Sequence, residues 1–220
     1  MGVVGARGGV GASVLAALLA AQAAERTATV VVDLCAGAGL DVLLGLETVP
    51  GPRWPDLVGA GDVAGAELLA ALPRWGRCAV LSADRERPAA LPGAEVLDRL
   101  GEAAGAVVLD LSRAGVLADP SVAMRCHLVV VVVGRDAMSA GGAVALRVAL
   151  GPAASRTGLV VRDTGGLSVA EMEQATALPL LGRVPRDRGL ALGAERGMLT
   201  PGLRTARAMT ALATSLLGPR

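Results

Sequence analysis

The chain has 220 residues and a formal net charge of +1, from 21 basic and 20 acidic residues. This length suffices for one well-buried α/β domain and is short for two. The balanced charge gives no reason to expect a dedicated binder of nucleic acid or of acidic ligands. Hydrophobic residues make up 53% of the chain, but we expect no membrane-spanning segment, since no apolar stretch approaches the roughly 20 residues that one needs.

The predicted elements alternate between apolar strands and segments of helical length. The predicted strands are residues 2–5, 29–33, 78–82, 106–110, 128–133, 158–161 and 178–184. The predicted helices are residues 13–25, 140–150, 168–177 and 203–217. Continuous apolar strands separated by helices are typical of a parallel sheet that is buried on both faces. We therefore predict a three-layer, doubly wound α/β domain with a mostly parallel sheet, which spans residues 1–220 as a single domain. Residues 49–62, rich in proline and glycine, are predicted to be a long loop.

Lys, Asn, Ile, Phe and Tyr are absent from the chain, so every basic residue except His127 is an arginine. Any mechanism that needs a lysine or a tyrosine from this chain is therefore excluded. A single histidine without a partner makes neither a catalytic triad nor a zinc site. The three cysteines have no metal-ligand spacing. Their odd number, without a secretion signal, fits reduced thiols and a cytoplasmic protein.

Glycines cluster between the first predicted strand and the first predicted helix, in residues 5–13 (GARGGVGAS). Glycines at such a junction let backbone N–H groups turn toward an anion at the positive end of the helix. Ser13 would offer its hydroxyl group to Mg²⁺. A tight turn without a ligand is the alternative. This many glycines, followed by a serine, favour a phosphate-binding loop.

This loop resembles the deviant Walker A motif of the MinD/ParA family of P-loop ATPases, which reads lysine-Gly-Gly-x-Gly-lysine-Ser/Thr. Arg7 falls where the family has its signature lysine, and Ala12 falls where it has the general P-loop lysine. The resemblance implies that the chain binds ATP or ADP with Mg²⁺, weakly if at all, through a set of loop residues: Gly8, Gly9, Val10, Gly11, Ala12 and Ser13.

The two lost lysines have different consequences. A hydrogen bond to a charged group contributes about 1.5–3 kcal/mol, so Ala12 should lower nucleotide affinity about tenfold to a hundredfold. Hydrolysis should suffer more than binding, because the lysine also neutralises the charge that develops during phosphoryl transfer. In the family the signature lysine reaches across a dimer to the partner's nucleotide. Arg7 is the candidate for that catalytic role, with bidentate geometry.

Two aspartates at strand ends complete the resemblance. Residues 30–34 (VVVDL) with Gly37 are similar to the family motif whose aspartate positions the attacking water or the water shell of the metal, which makes Asp33 a candidate catalytic residue. Residues 107–111 (VVLDL) resemble a Walker B strand, in which Asp110 would hold Mg²⁺ through water. A polar residue that merely ends a buried strand is the alternative for each. Three motifs in the family order are stronger than any one alone.

A purine contact is expected from a later strand. The family has an asparagine near the end of that strand, and this chain has Arg162, which could stack on a purine. Residues 178–191 match the family's late strand and proline loop. Together with the lysine-poor loop and residues 53–57 (RWPDL), they resemble the actinobacterial septum-site-determining (Ssd) group, which is related to the CpaE/TadZ proteins. Such proteins often carry an N-terminal receiver-like domain. The short first strand leaves open a late start site or the C-terminal part of a longer protein.

The resemblance implies a MinD/CpaE-like spatial regulator, for septum-site determination or for pilus or secretion localisation, with weak or no ATP hydrolysis. It also implies a homodimer, cell-division or pilus/secretion partners, and a cytoplasmic protein that partners recruit to the membrane. Direct contact with DNA or membrane is not supported, because Asp187 interrupts the cluster of Arg183, Arg186 and Arg188 and the last helix carries only two cations.

Two alternatives remain open. One is an active ATPase in which Arg7 takes the place of lysine. The other is an NAD-dependent oxidoreductase, because Gly5, Gly8 and Gly11 also fit a Rossmann variant and Asp33 lies where a ribose-binding acid would lie. The absence of any Tyr-x-x-x-Lys pair argues against the second alternative.

Overall fold

The sheet of this protein has eight strands. The computed structural model describes residues 1–35, 39–58, 63–87 and 94–217. The strands are β1 (Gly2–Gly5), β2 (Thr29–Leu34), β3 (Arg74–Trp75), β4 (Cys78–Leu81), β5 (Ala106–Leu111), β6 (Val129–Val133), β7 (Thr157–Arg162) and β8 (Leu180–Val184). Their order in the sheet is β3-β4-β2-β5-β1-β6-β7-β8. Every neighbouring pair is parallel except the pair of β3 and β4.

Helices cover both faces of the sheet. They are α1 (Ala12–Ala24), α2 (Leu40–Leu44), α3 (Trp54–Leu57), α4 (Gly65–Ala71), α5 (Ala94–Ala103), α6 (Arg113–Ala118), α7 (Ser121–Met124), α8 (Ala137–Leu150), α9 (Val169–Thr176), α10 (Arg188–Ala194) and α11 (Leu203–Leu217), with a 3₁₀ helix at Gly151–Arg156. One core cluster joins the sheet to α1 and α11, and the other joins it to α4, α5 and α8. The predicted three-layer, mostly parallel α/β fold is confirmed.

Strand β6 shows why the sheet is buried on both faces. All five of its valines are buried. Val129, Val131 and Val133 belong to one core cluster, while Val130 and Val132 belong to the other. Side chains alternate between the faces of a strand, so a continuous run of valine fills both layers at once.

The position of β5 decides between two phosphate-binding topologies. In the usual dinucleotide-binding order, the first and second strands are neighbours. Here β5 lies between them and pairs with both β1 and β2. The strand order therefore differs from that of the dinucleotide-binding alternative.

Residues 49–62 depart from the predicted loop. The four-residue helix α3 lies within them, with Pro55 in its first turn and Asp56 accepting a hydrogen bond from the backbone N–H of Arg53 at 2.9 Å. Proline is favoured in a first helical turn because its missing N–H would have no partner there. Residues 59–62 and Gly37 lie outside the described residues.

Helix α8 and the 3₁₀ turn after it form a continuous apolar segment, Ala137–Arg156. By length and composition alone this segment could cross a membrane, which corrects the expectation that no segment reaches that length. Four of its side chains, Ala140, Ala143, Leu146 and Leu150, are buried in the core. One face of the segment therefore packs against the core, while Met138 and Val148 on the segment are exposed.

Candidate functional site

The glycine loop connects β1 to α1 at the carboxyl end of the sheet. Gly9 and Gly11 adopt left-handed conformations, with φ of 73° and 83°, which favour glycine because it lacks a Cβ. A Cβ added to Gly8 or Gly9 would meet no heavy atom of the described residues within 4 Å. The loop is therefore open to a ligand on this side.

The first turn of α1 follows the loop and has neither a side-chain cap nor an acidic residue of its own. Gly11, its N-cap residue, provides no side-chain hydrogen bond, and the first turn contains no acidic residue. The first N–H groups of a helix lack acceptors within the helix, and they lie at the positive end of its dipole. Backbone N–H groups that are arranged in this way can bind a phosphate.

Asp110 provides a buried oxygen at the same place. It is the last but one residue of β5, with only 1% of its surface exposed, and its side chain interacts with that of Ser13 in the first turn of α1. Among the described residues, its Oδ1 atom has no hydrogen-bond partner. Burial is the main cause that raises the pKa of this carboxyl group to about 7. A serine hydroxyl beside a carboxylate with a free oxygen fits Mg²⁺, a hard cation that prefers oxygen ligands.

Asp33 lies beside Asp110 but has different partners. The two residues are in register on β2 and β5. Asp33 Oδ1 accepts the backbone N–H of Cys35 at 2.9 Å, and Oδ2 accepts that of Leu40 at 2.8 Å. Burial raises the pKa of Asp33, against the opposing effect of these hydrogen bonds. The Asp33 carboxyl group therefore links the end of β2 to the start of α2 through these two hydrogen bonds.

Cys35, which is half-buried, lies beside the two buried aspartates. The Sγ atom and one carboxylate oxygen from each of Asp33 and Asp110 lie within 4.8 Å of one another. Burial and the two neighbouring carboxylates raise the pKa of the Cys35 thiol well above its usual range. For a hard cation such as Mg²⁺, the carboxylate oxygens are the preferred ligands in this group.

Arg7 makes contacts within its own chain. Its guanidinium pairs with Asp136, at 3.0 Å from Nη2 to Oδ2, and Nε donates to Ser139 Oγ at 3.2 Å. Asp136 is the N-cap residue of α8, and its hydrogen bond with Arg7 is the main cause that lowers its pKa to about 2. The reach of Arg7 to a partner's nucleotide stays a prediction.

Arg162 ends β7 and reaches the glycine loop. Its Nη1 atom donates to the carbonyl oxygen of Val10 at 3.0 Å, and a Cβ added to Gly11 would lie 2.8 Å from the same nitrogen. Ala12 begins α1 and packs against the core. The structure therefore brings together Arg162, the loop, Ser13 and Asp110, while the purine contact of Arg162 stays a prediction.

Arg53 and Trp54 are site-supporting residues that sequence reasoning did not assign to the site. The Trp54 indole N–H donates to the backbone oxygen of Asp33 at 2.6 Å. Buried Arg53 lies 3.6 Å from Asp41, and Ser82 Oγ lies between Asp41 Oδ1, at 3.3 Å, and Asp33 Oδ2, at 3.4 Å. A tryptophan and an arginine beside Pro55 were visible in the sequence, but these partners are far apart along the chain.

A cavity of about 980 Å³ lies away from the loop, at the amino ends of the strands. Met1, Ala106 and His127 line it, and burial lowers the pKa of His127. Ligands of open parallel sheets bind outside the carboxyl ends of the strands. We therefore place the candidate site at the glycine loop and not in this larger cavity.

The fold and the loop define a P-loop NTPase fold of the MinD/ParA type: a parallel sheet with β5 between β1 and β2, and a glycine loop beside two strand-end aspartates. A ParA-family ATPase from Chlorobium tepidum matches 96% of this chain over 96% of its own length, with a TM-score of 0.79 and 18% identity. MinD of Aquifex aeolicus, in complex with MinC, matches 100% of the chain over 96% of its own, with a TM-score of 0.77 and 20% identity.

Two further comparisons extend this likeness. MinD of Pyrococcus horikoshii, in complex with Mg-ADP, matches with a TM-score of 0.69 and 18% identity, over 98% of this chain and 96% of its own. An uncharacterised protein of Mycobacterium tuberculosis, found in two strains, is 37% identical over 221 residues. That match covers 98% of this chain, and the chain spans 62% of the relative's length. No protein-family model matches the sequence.

Proposed function

We propose that this chain is the nucleotide-binding domain of a MinD/ParA-like spatial regulator, which binds ATP or ADP with Mg²⁺ and hydrolyses ATP weakly or not at all. The observation that carries the proposal is the buried Asp110 carboxyl group beside Ser13, with one oxygen free, at the open glycine loop. An unpaired buried carboxylate oxygen is unfavourable unless a cation or a water binds it.

Each part of the site has its own role in binding. Backbone N–H groups of residues 8–13 would hold the phosphates at the positive end of α1. Ser13 Oγ and Asp110 would hold Mg²⁺, Asp110 through water. The metal, when bound, neutralises negative charge on the phosphates. The free oxygen of Asp110 and its contact with Ser13 fit this role.

Three features support weak hydrolysis. Ala12 contributes no cation where phosphoryl transfer develops negative charge. Both Asp33 oxygens already accept backbone N–H groups, which leaves this carboxylate fewer acceptor sites with which to orient a water molecule. Arg7 is paired with Asp136 in its own chain. With these three features, the domain would bind a nucleotide and keep it largely unhydrolysed.

The proposed biological role is septum-site determination or pilus or secretion localisation, of the Ssd or CpaE kind. We propose a homodimer with cell-division or pilus/secretion proteins as partners, in the cytoplasm and recruited to the membrane by those partners. The likeness to MinD, which is known in complex with the cell-division protein MinC, supports this role. The RWPDL segment, which is part of the resemblance to the Ssd group, also supports it. Its Trp54 indole N–H donates to the backbone oxygen of Asp33, so this segment contacts the candidate site.

A working ATPase is the second candidate, favoured by the position of the Arg7 guanidinium at the loop, where Nη1 donates to the carbonyl of Gly8 at 3.2 Å. Release from Asp136 would free this cation for the phosphates. If Arg7 compensates for the missing lysine, the Arg7→Ala variant has no turnover. Turnover that survives this substitution contradicts the second candidate.

The test of the proposed function is calorimetric titration of ADP with and without Mg²⁺. The wild-type chain is compared with Ser13→Ala and with the control Ser155→Ala, whose exposed hydroxyl bonds only to the nearby Pro152 carbonyl among the described residues. We expect Mg²⁺ to strengthen ADP binding in the wild type and the control, but not in Ser13→Ala. Equal effects of Mg²⁺ in all three proteins would contradict the proposed site.

A further inference from the structure

Arg162 places a positive charge at the glycine loop without a carboxylate beside it. A guanidinium has five N–H donors. Among the described residues, the one hydrogen bond that the Arg162 side chain makes joins Nη1 to the carbonyl of Val10 at 3.0 Å. No aspartate or glutamate of those residues lies within ion-pair distance of it. Most of its donors are therefore free to bind another group.

Neighbouring arginines at the same edge of the sheet differ from Arg162. Arg7 pairs with Asp136, while Arg135 and Arg183 both pair with Asp163. Each of these three guanidinium groups lies 3.0–3.1 Å from a carboxylate oxygen, although Arg135 and Arg183 share the one carboxylate of Asp163. Arg162 alone among the four lies against the loop instead of an acid.

Two positive groups meet on the Arg162 side of the loop, while the Asp110 carboxyl group lies at Ser13 in the same helical turn. The amino end of α1 carries a partial positive charge of about half a unit, because its first N–H groups are unpaired. Its first turn contains no acid, and the Arg162 guanidinium touches its N-cap residue, Gly11. Two positive groups in contact repel each other. An anion that contacts both would convert this repulsion into attraction.

A second observation identifies the kind of anion. The buried Asp110 carboxyl group, in contact with Ser13, has a free oxygen at the same end of α1. An acceptor of this kind suits a divalent cation and not the anion itself. The site therefore combines donors for an anion with ligands for a metal, which is the requirement of a Mg²⁺-bound polyphosphate.

We infer that Arg162 is the phosphate-binding cation of this site, supplied by β7 in place of the lysine that Ala12 lacks. This inference rests on the proposed function. It also defines the ligand class: a di- or triphosphate bound with Mg²⁺ and recognised through its phosphates. A guanidinium that binds the phosphates through its free N–H donors does not contribute to recognition of the base. ATP, GTP and inorganic tripolyphosphate should therefore bind within about tenfold of one another.

The experiment compares Mg²⁺–ATP with Mg²⁺–tripolyphosphate by calorimetric titration into four proteins: wild type, Arg162→Ala, Arg162→Lys and the control Arg183→Ala. The control removes an equal charge from the adjacent strand, and its partner Asp163 keeps Arg135. We expect Arg162→Ala to weaken both ligands equally, about tenfold to a hundredfold. Arg162→Lys should recover part of the affinity, and the control should bind like the wild type.

Three results would overturn the inference. Unchanged affinity of Arg162→Ala for both ligands removes Arg162 from the phosphate site while leaving the proposed function intact. Loss of ATP affinity alone, with tripolyphosphate retained, assigns Arg162 to the base. A wild-type chain that binds neither ligand overturns the proposed function and the inference with it. Tryptophan fluorescence, from Trp54 and Trp75 together, checks folding, and Arg162→Lys repeats the comparison if the alanine variant does not fold.

Discussion

Asp33 and Asp110 lie side by side in register on β2 and β5, yet their carboxyl groups have opposite hydrogen-bonding states. Each has only 1% of its surface exposed. Both oxygens of Asp33 accept backbone N–H groups, whereas Oδ1 of Asp110 has no partner among the described residues. Burial raises the pKa of both carboxyl groups, but hydrogen bonds oppose this effect at both oxygens of Asp33, whereas one oxygen of Asp110 is left without a partner.

The Asp110→Asn variant should be more stable than the wild type in Mg²⁺-free buffer. The pKa of Asp110 is raised from 3.8 to about 7, so between these values the native state holds a proton that the unfolded chain releases. Wild-type stability contributed by this group therefore falls as pH rises through that window. The gain should be small near pH 4 and complete above pH 7, with an upper limit of about 4 kcal/mol from 1.36 kcal/mol per pKa unit.

Thermal unfolding at pH 4 and pH 8 measures this difference. Mg²⁺–ADP should stabilise the wild type but not Asp110→Asn, because the asparagine cannot supply the charged ligand. An asparagine variant that is less stable at pH 8, or equally stabilised by Mg²⁺–ADP, would contradict the assignment of Asp110 to a metal site.

Substitution of the neighbouring Asp33 by asparagine should have the opposite effect. An amide has one acceptor oxygen, so one of the N–H groups of Cys35 and Leu40 would face the amide nitrogen. A buried donor that loses its acceptor costs about 1–3 kcal/mol. Urea unfolding measures the free energy, with Asp110→Asn as the matched comparison. If Asp33→Asn and the wild type unfold at the same urea concentration, the two hydrogen bonds of the Asp33 carboxylate do not stabilise the fold.

Two adjacent glycines of α8 should respond to alanine with opposite signs. A Cβ on Gly142 would lie 2.0 Å from the carbonyl oxygen of Ala6, so the glycine loop must move. A Cβ on exposed Gly141 would meet no described atom within 4 Å. Gly141→Ala should stabilise the chain by about 0.4–1 kcal/mol, while Gly142→Ala should destabilise it by about 1–3 kcal/mol and weaken nucleotide binding.

Thermal unfolding and ADP titration of both glycine variants test this packing. The Gly141 variant controls for the general effect of alanine in a helix. A stabilised Gly142→Ala variant with wild-type affinity for ADP would show that α8 does not set the position of the loop.

Replacement of Arg53 by methionine should destabilise the part of the fold that supports the candidate site. The buried guanidinium donates to the carbonyls of Leu46, Val49 and Gly51 at 2.9–3.2 Å and lies 3.6 Å from Asp41. Breaking a buried ion pair costs about 3–5 kcal/mol. We expect the lower end, because Arg85 also lies 3.8 Å from Asp41.

Urea unfolding of Arg53→Met, followed by the fluorescence of the two tryptophans, measures this effect. The exposed Arg77→Met is the control for removal of one positive charge. A free energy of unfolding that is the same in both variants would exclude a supporting role for Arg53.

The parts of the fold that sequence could predict are those set by local pattern. The valine run of β6 fills two core layers, so its strand was evident. Helix α11 has the predicted bounds, Leu203–Leu217. The two-residue strand β3 was missed because its antiparallel pairing depends on β4 and not on its own composition. Helix α3 was missed because prolines and glycines around it indicated a loop.

The members of the candidate site were predicted, but not their contacts. The motif order identified Ser13, Asp33 and Asp110, whose proximity follows from neighbouring parallel strands. The contacts of Arg7 with Asp136 and of Arg162 with Val10 join residues that are 129 and 152 positions apart. Such pairings follow from the strand order, which periodicity does not define.

The most direct test of the central claim is a titration of Mg²⁺–ATP into the purified chain, with inorganic phosphate measured in the same samples. We predict saturable binding with phosphate release no faster than in the protein-free blank. Absence of binding at millimolar ATP would contradict a nucleotide-binding site at the glycine loop. Sustained phosphate release above the blank would contradict a domain that holds ATP without efficient hydrolysis.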